Sequence, residues 1–76
     1  MKNNHQWLIE LRTKKNMTHD SVAQLTDITR SYYTKIENGV VPSVRVAKRI
    51  AQVLGFDWSR FYEEEYDKEG ESVLDK

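Results

Sequence analysis

The chain has no cysteine among its 76 residues, which excludes disulfides and thiolate metal sites. It also has no long apolar run, and nothing in it approaches the ~20 apolar residues that a membrane-spanning helix needs. The start, MKNNHQW, lacks the apolar stretch of a signal peptide. A cytoplasmic protein with no membrane partner is the expectation. Only two histidines are present, His5 and His19, and their spacing does not suggest a metal site. There is no glycine-rich phosphate loop and no metal-ligand pattern. His19 and Asp20 are neighbours, and adjacent helix residues point in different directions, so they do not form a catalytic pair. The run Glu63 to Glu65 reads as a solvated helix end. No enzyme activity and no cofactor are expected.

Net charge is also lacking: the formal sum is zero. The distribution is uneven, however. Up to Gly55 there are nine basic and four acidic residues, a balance of +5; from Phe56 onward there are three basic and eight acidic residues, a balance of −5. Only the body therefore carries the sign needed to meet phosphates. A chain this short buries only roughly 60% of its unfolded surface, so its core is thin and a partner subunit would help.

What is present is helical periodicity. Helix one is expected over about 4–15, with Trp7, Leu8 and Leu11 on its apolar face and Asn16 as a left-handed stop. Helix two should start at Thr18 as N-cap and turn Val22, Ala23 and Leu25 inward. It lacks the acid of a capping box, because Ser21 stands where Glu or Gln would be. Thr26 and Asp27 form a turn, and Ile28 plugs it into the core. Thr29 caps helix three, which buries Tyr33 and Ile36 and stops at Asn38-Gly39. Val40, Val41 and Pro42 make a stiff connection. Ser43 caps helix four, which runs to Leu54 with Gly55 as its stop and Val44, Ala47, Ile50, Ala51 and Leu54 as its inward stripe. Asp57 can cap helix five, with its aromatic cluster Trp58, Phe61 and Tyr62. The domain is expected to cover 1–66, followed by a flexible acidic tail over 67–76. Residues 18–39, THDSVAQLTDITRSYYTKIENG, thus read as two short helices around a tight turn. That is the helix-turn-helix pattern, which lays its second helix in the DNA major groove.

At this point the residues resemble the lambda-repressor-like helix-turn-helix domains of phage repressors, Cro proteins and small bacterial regulators. The resemblance is ordered along the chain: Leu11-Arg12, Met17-Thr18, Val22-Ala23, Ile28-Thr29-Arg30-Ser31-Tyr32, Ile36-Glu37-Asn38-Gly39, Pro42-Ser43, Ile50-Ala51 and Leu54-Gly55. It covers about Trp7 to Tyr62. It implies an all-α, five-helix bundle that binds double-stranded DNA. Three positions depart from the family's habit. His19 stands where Gln is frequent, Asp27 where Gly is frequent, and Val40-Val41 where Lys or Arg is frequent. The first and third remove phosphate contacts. They imply a low affinity per monomer or a different use for the apolar loop.

The resemblance also assigns roles. Helix three would enter the groove with Arg30, Ser31, Thr34 and Lys35 towards the bases. Arg30 can bridge the N7 and O6 acceptors of guanine. Lys35 can reach a second guanine or a phosphate, and Tyr32 a thymine methyl or a phosphate. Thr18, His19, Thr29 and Asn38 are phosphate or groove candidates. His19 can equally be plain solvated surface, and Asn38 a helix-ending residue. Arg12 and Glu37 are expected to form a structural ion pair between helix one and the end of helix three. One reading helix covers only a few base pairs, so a homodimer on two half-sites about 34 Å apart is expected. Its interface would draw on Phe56, Trp58, Phe61 and Tyr62, with Trp58 and Phe61 inward. The leading expectation is a repressor or regulator of phage or mobile-element type. A protein-interaction module, such as an antirepressor or an antitoxin-like partner, is the competing class.

Overall fold

The computed structural model describes residues 4–63. Among them are four helices, α1 (Gln6–Lys14), α2 (His19–Thr26), α3 (Arg30–Glu37) and α4 (Val44–Leu54). A short fifth helical turn, α5, spans 60–63, and the described residues include no strand. The expected tail over 67–76, and residues 64–66 of the expected domain, lie outside the described residues.

The helix ends follow local chemistry. Thr18 Oγ1 accepts from the Ser21 amide at 3.1 Å, Thr29 Oγ1 from the Tyr32 amide at 3.1 Å, and Ser43 Oγ from the Val46 amide at 3.3 Å. Each such cap contributes typically ~1 kcal/mol. The capping box of α2 is complete after all, because Ser21 Oγ accepts from the Thr18 amide at 3.2 Å. A short hydroxyl does the work expected of a longer acid. Among the described residues, two that are not glycine hold left-handed backbone, Asn16 at φ 57° and Asp27 at φ 62°. Their short polar side chains make that conformation tolerable. At Gly55, φ is +80° and a Cβ would meet nothing within 4 Å, so the backbone angle, not space, calls for glycine there.

Packing then fixes the arrangement. α2 lies against α3 and α4, and α1 lies against α3. Leu8, Val22, Tyr33, Ile36, Ala47, Ile50, Leu54 and Phe61 form the enclosed core. Two expected core residues are outside it: Leu25 is 63% exposed and Val44 46% exposed. On α2 the inward place belongs to Thr26, fully buried, whose hydroxyl donates to the Val22 carbonyl at 2.7 Å. That bond removes the cost of burying a polar group, so threonine can take the core position. Val44 is the first residue of its helix, ahead of the turns that meet α2. Asp57, expected to cap helix five, instead closes a turn ahead of α5, its carboxylate accepting from the Ser59 amide at 3.1 Å. Phe61 is buried, and the Tyr62 hydroxyl donates to the Pro42 carbonyl at 2.8 Å, tying α5 to the loop before α4.

Candidate nucleic-acid interface

The position of α3 depends on a network at its C-terminal end. Glu37 is buried to 3% exposure, and its carboxylate accepts from Arg12 Nε at 2.5 Å and from the other arm of the guanidinium at 3.3 Å. This is the ion pair that the sequence suggested. It is bidentate, and Arg12 donates its remaining reach to the Met17 carbonyl at 2.9 Å. One guanidinium thus ties α1 to both the α1–α2 loop and α3. The hydrogen bond that Arg12 donates to Glu37 holds the Arg12 pKa above its ordinary value, outweighing the burial that acts to lower it.

His5 adds a second tether that the sequence did not signal. It is buried, its Nδ1–H donates to the Ile36 carbonyl at 2.6 Å, and its amide donates to the Glu37 carbonyl at 2.9 Å. These are carbonyls at the α3 C-terminus, where donors are in demand. The ring sits edge-on to Phe61, with centroids 5.4 Å apart. Arg49 plays a similar part for α2, donating to the Thr26 carbonyl at 3.2 Å.

Tyr33 sits beside the network, fully buried. Its hydroxyl is enclosed without a hydrogen-bond partner of good geometry, although it lies in the field of Glu37. Burial first, and the carboxylate second, push its phenol well above the ordinary value of 10.0. A raised folded-state pKa means stability that is whole below the unfolded pKa and is lost as pH rises above it. Alkaline unfolding is therefore expected to begin near pH 10, and Tyr33→Phe should move its midpoint upward in a circular-dichroism titration. An unchanged midpoint would assign alkaline unfolding to other groups.

Against this anchored end, the outer face of α3 is open. Arg30, Ser31, Thr34 and Lys35 line one shallow depression. Arg30, Ser31 and Lys35 are exposed and Thr34 is half-exposed. Neither the Arg30 nor the Lys35 side chain makes an ion pair or hydrogen bond among the described residues. Lys14, Lys15 and Arg45 are likewise uncommitted, and four other cations are engaged. Arg12 and Arg49 bond to acceptors, Lys48 lies 5.2 Å from the Trp58 ring, and Arg60 lies 4.5 Å from the Trp7 ring. All four residues picked for base contact thus share one surface, and its two cations are uncommitted.

The residues picked for the phosphates flank it. Thr18 and Thr29 are exposed, with their hydroxyls serving as caps. Tyr32 is half-buried against the core, and Asn38 is the exposed C-cap of α3. The sequence left His19 open between a phosphate contact and free surface. The structure gives both its ring nitrogens partners inside the protein. Nδ1 is 2.8 Å from Thr34 Oγ1 and Nε2 is 3.1 Å from Glu37 Oε1. A second depression, lined by Arg12, Thr18, His19, Asp20 and Arg30, adjoins the first through Arg30. Of the aromatic group assigned to a dimer contact, Phe61 is enclosed in the core, while Phe56, Trp58 and Tyr62 are half-buried. No helix among the described residues is long and apolar enough to cross a membrane.

Comparison with known proteins agrees with this geometry. A family model described as helix-turn-helix matches residues 8–61. The chain is 49% identical over 59 residues to a Bacillus subtilis (strain 168) protein named as an uncharacterized HTH-type transcriptional regulator, YqaF. That match covers 76% of this chain and 78% of the relative. No solved structure matches. The match spans α1 to α5 and takes in the Arg12–Glu37 tether, the capped turn and the open face of α3, so the chain belongs to the lambda-repressor-like helix-turn-helix family, whose shared unit is a DNA-binding domain.

Proposed function

We propose that the protein is a transcriptional repressor that binds a palindromic operator as a homodimer, with one α3 in the major groove of each half-site. The observation that carries this is the shared face of Arg30, Ser31, Thr34 and Lys35, free of acids and with uncommitted cations. A helix face of this kind offers a fork for guanine, hydroxyls for other base edges and a charge for phosphate. The relative named as a transcriptional regulator supports the same class, and the family is typically non-enzymatic.

Dimerisation is inferred from size and from the surface around α5. Phe56, Trp58 and Tyr62 keep part of their area in solvent, and a small domain gains specificity by reading two half-sites. Phe61 would support that surface from beneath. Selection of bound sequences from a random duplex pool tests the proposal, followed by affinity across a salt series. A twofold-symmetric site and a steep salt slope are expected. No enrichment at low salt would turn attention to the second reading, a protein-interaction module or antitoxin-like partner. The exposed apolar residues Leu25, Val40 and Val44 favour that reading.

A further inference from the structure

We propose that His19 fixes the hydrogen-bond polarity of Thr34, so that Thr34 accepts from a base-edge donor, adenine N6 or cytosine N4, in the major groove. The inference rests on the reading that α3 enters that groove. A free threonine hydroxyl rotates, donates or accepts, and so serves either kind of base edge. Thr34 does not have that freedom.

His19 opens α2, and its ring bridges to α3 at two points, Thr34 Oγ1 and Glu37 Oε1. A carboxylate only accepts, so the hydrogen lies on Nε2. Arg12 already balances the charge of the buried Glu37 through two contacts. In the neutral ring the hydrogen on Nε2 leaves Nδ1 with a lone pair. At 2.8 Å that lone pair takes the Thr34 hydroxyl hydrogen. The other groups near the ring do not compete for Nδ1: Tyr33 meets it edge-on at 5.5 Å between centroids, and Asp20 and Arg30 border the neighbouring depression. With its hydrogen turned inward, Thr34 shows only lone pairs to the depression it shares with Arg30, Ser31 and Lys35. His19 is thus a positioning residue. It makes an ambiguous reader one-sided.

The test is sequence selection from random duplex DNA with the wild-type chain, His19→Gln and Thr34→Val. Glutamine can place its Nε2 where the imidazole Nε2 stands and keep donating to Glu37, but it has no atom in place of Nδ1. The wild-type site is expected to hold one position per half-site where adenine or cytosine is preferred about tenfold. His19→Gln and Thr34→Val should each reduce that preference below about threefold and leave the guanine preference intact. Uniformly weaker binding with an unchanged base profile in His19→Gln would overturn the inference, since a merely structural role gives that result. If the wild type enriches no site, the groove reading itself fails, before any variant is considered. Nitrogen-15 shifts of the His19 ring in the wild type give an answer independent of how the variants fold. A hydrogen on Nε2 alone is expected; one on Nδ1 overturns the assignment.

Discussion

Replacing Glu37 with alanine is expected to destabilise the domain by about 3–5 kcal/mol, seen as a lower urea midpoint at an unchanged m-value. Total stabilities of domains lie near 5–15 kcal/mol, with small ones at the low end, so this variant should be close to unfolding. The physical reason is the asymmetry of a buried pair. Arg12 is only 14% exposed at its side chain and cannot turn to water when its carboxylate is removed. His19 loses its acceptor in the same step. Glu37→Gln keeps the volume without the charge and should fall between alanine and wild type. Replacing both partners, Arg12→Met with Glu37→Leu, should cost less than either single change, because no stranded charge remains. If Glu37→Gln leaves stability and DNA binding untouched, the pair is not what holds α3 in place.

The contrast between this pair and its neighbours shows what the sequence could and could not reveal. Helix ends were readable because caps are local. Thr18, Thr29 and Ser43 each bond an amide three residues on. Gly55 and Asn16 stop helices through their own backbone angles. Arg12 and Glu37, 25 residues apart, were readable only through a family resemblance. His5 had no such precedent. Its bond to Ile36 spans 31 residues and depends on where the segment ahead of α1 is laid across α3. Leu25 and Thr26 were exchanged for a different reason. Hydrophobicity favours Leu25 for the core, but the α2 face that meets α3 and α4 is set by Val22 and Ala23. Thr26, one turn after Val22, falls on it and satisfies its hydroxyl within the helix. Serine completing a capping box is a similar case, in which geometry admits a residue that the usual pattern omits. For the reading face, burying Tyr33 and Ile36 was enough. Once those two are inward, Arg30, Ser31, Thr34 and Lys35 must share the opposite side.

Arg30→Ala should then have the largest effect on recognition. A bidentate arginine–guanine contact is worth about 1–3 kcal/mol of discrimination. A twofold dimer makes it twice, so roughly 2–6 kcal/mol is at stake per operator, or about 30-fold to more than ten-thousand-fold in affinity. The decisive readout is the profile of preferred bases, not affinity alone. If Arg30 reads a base, the variant loses preference for guanine at one position per half-site and binds other sequences nearly as before. If it only holds a phosphate, affinity falls alike on every sequence and the salt slope drops by about one unit per contact. Lys35→Ala gives the comparison, since Lys35 lies further along the same face and carries a point charge in place of a fork. The Arg30 side chain is exposed, and stability should not change. A loss of binding with unaltered melting therefore belongs to the interface and not to the fold. A base profile that survives Arg30→Ala would move the reading of sequence to Ser31, Thr34 and Lys35, and would leave Arg30 as a phosphate anchor between the two depressions it lines.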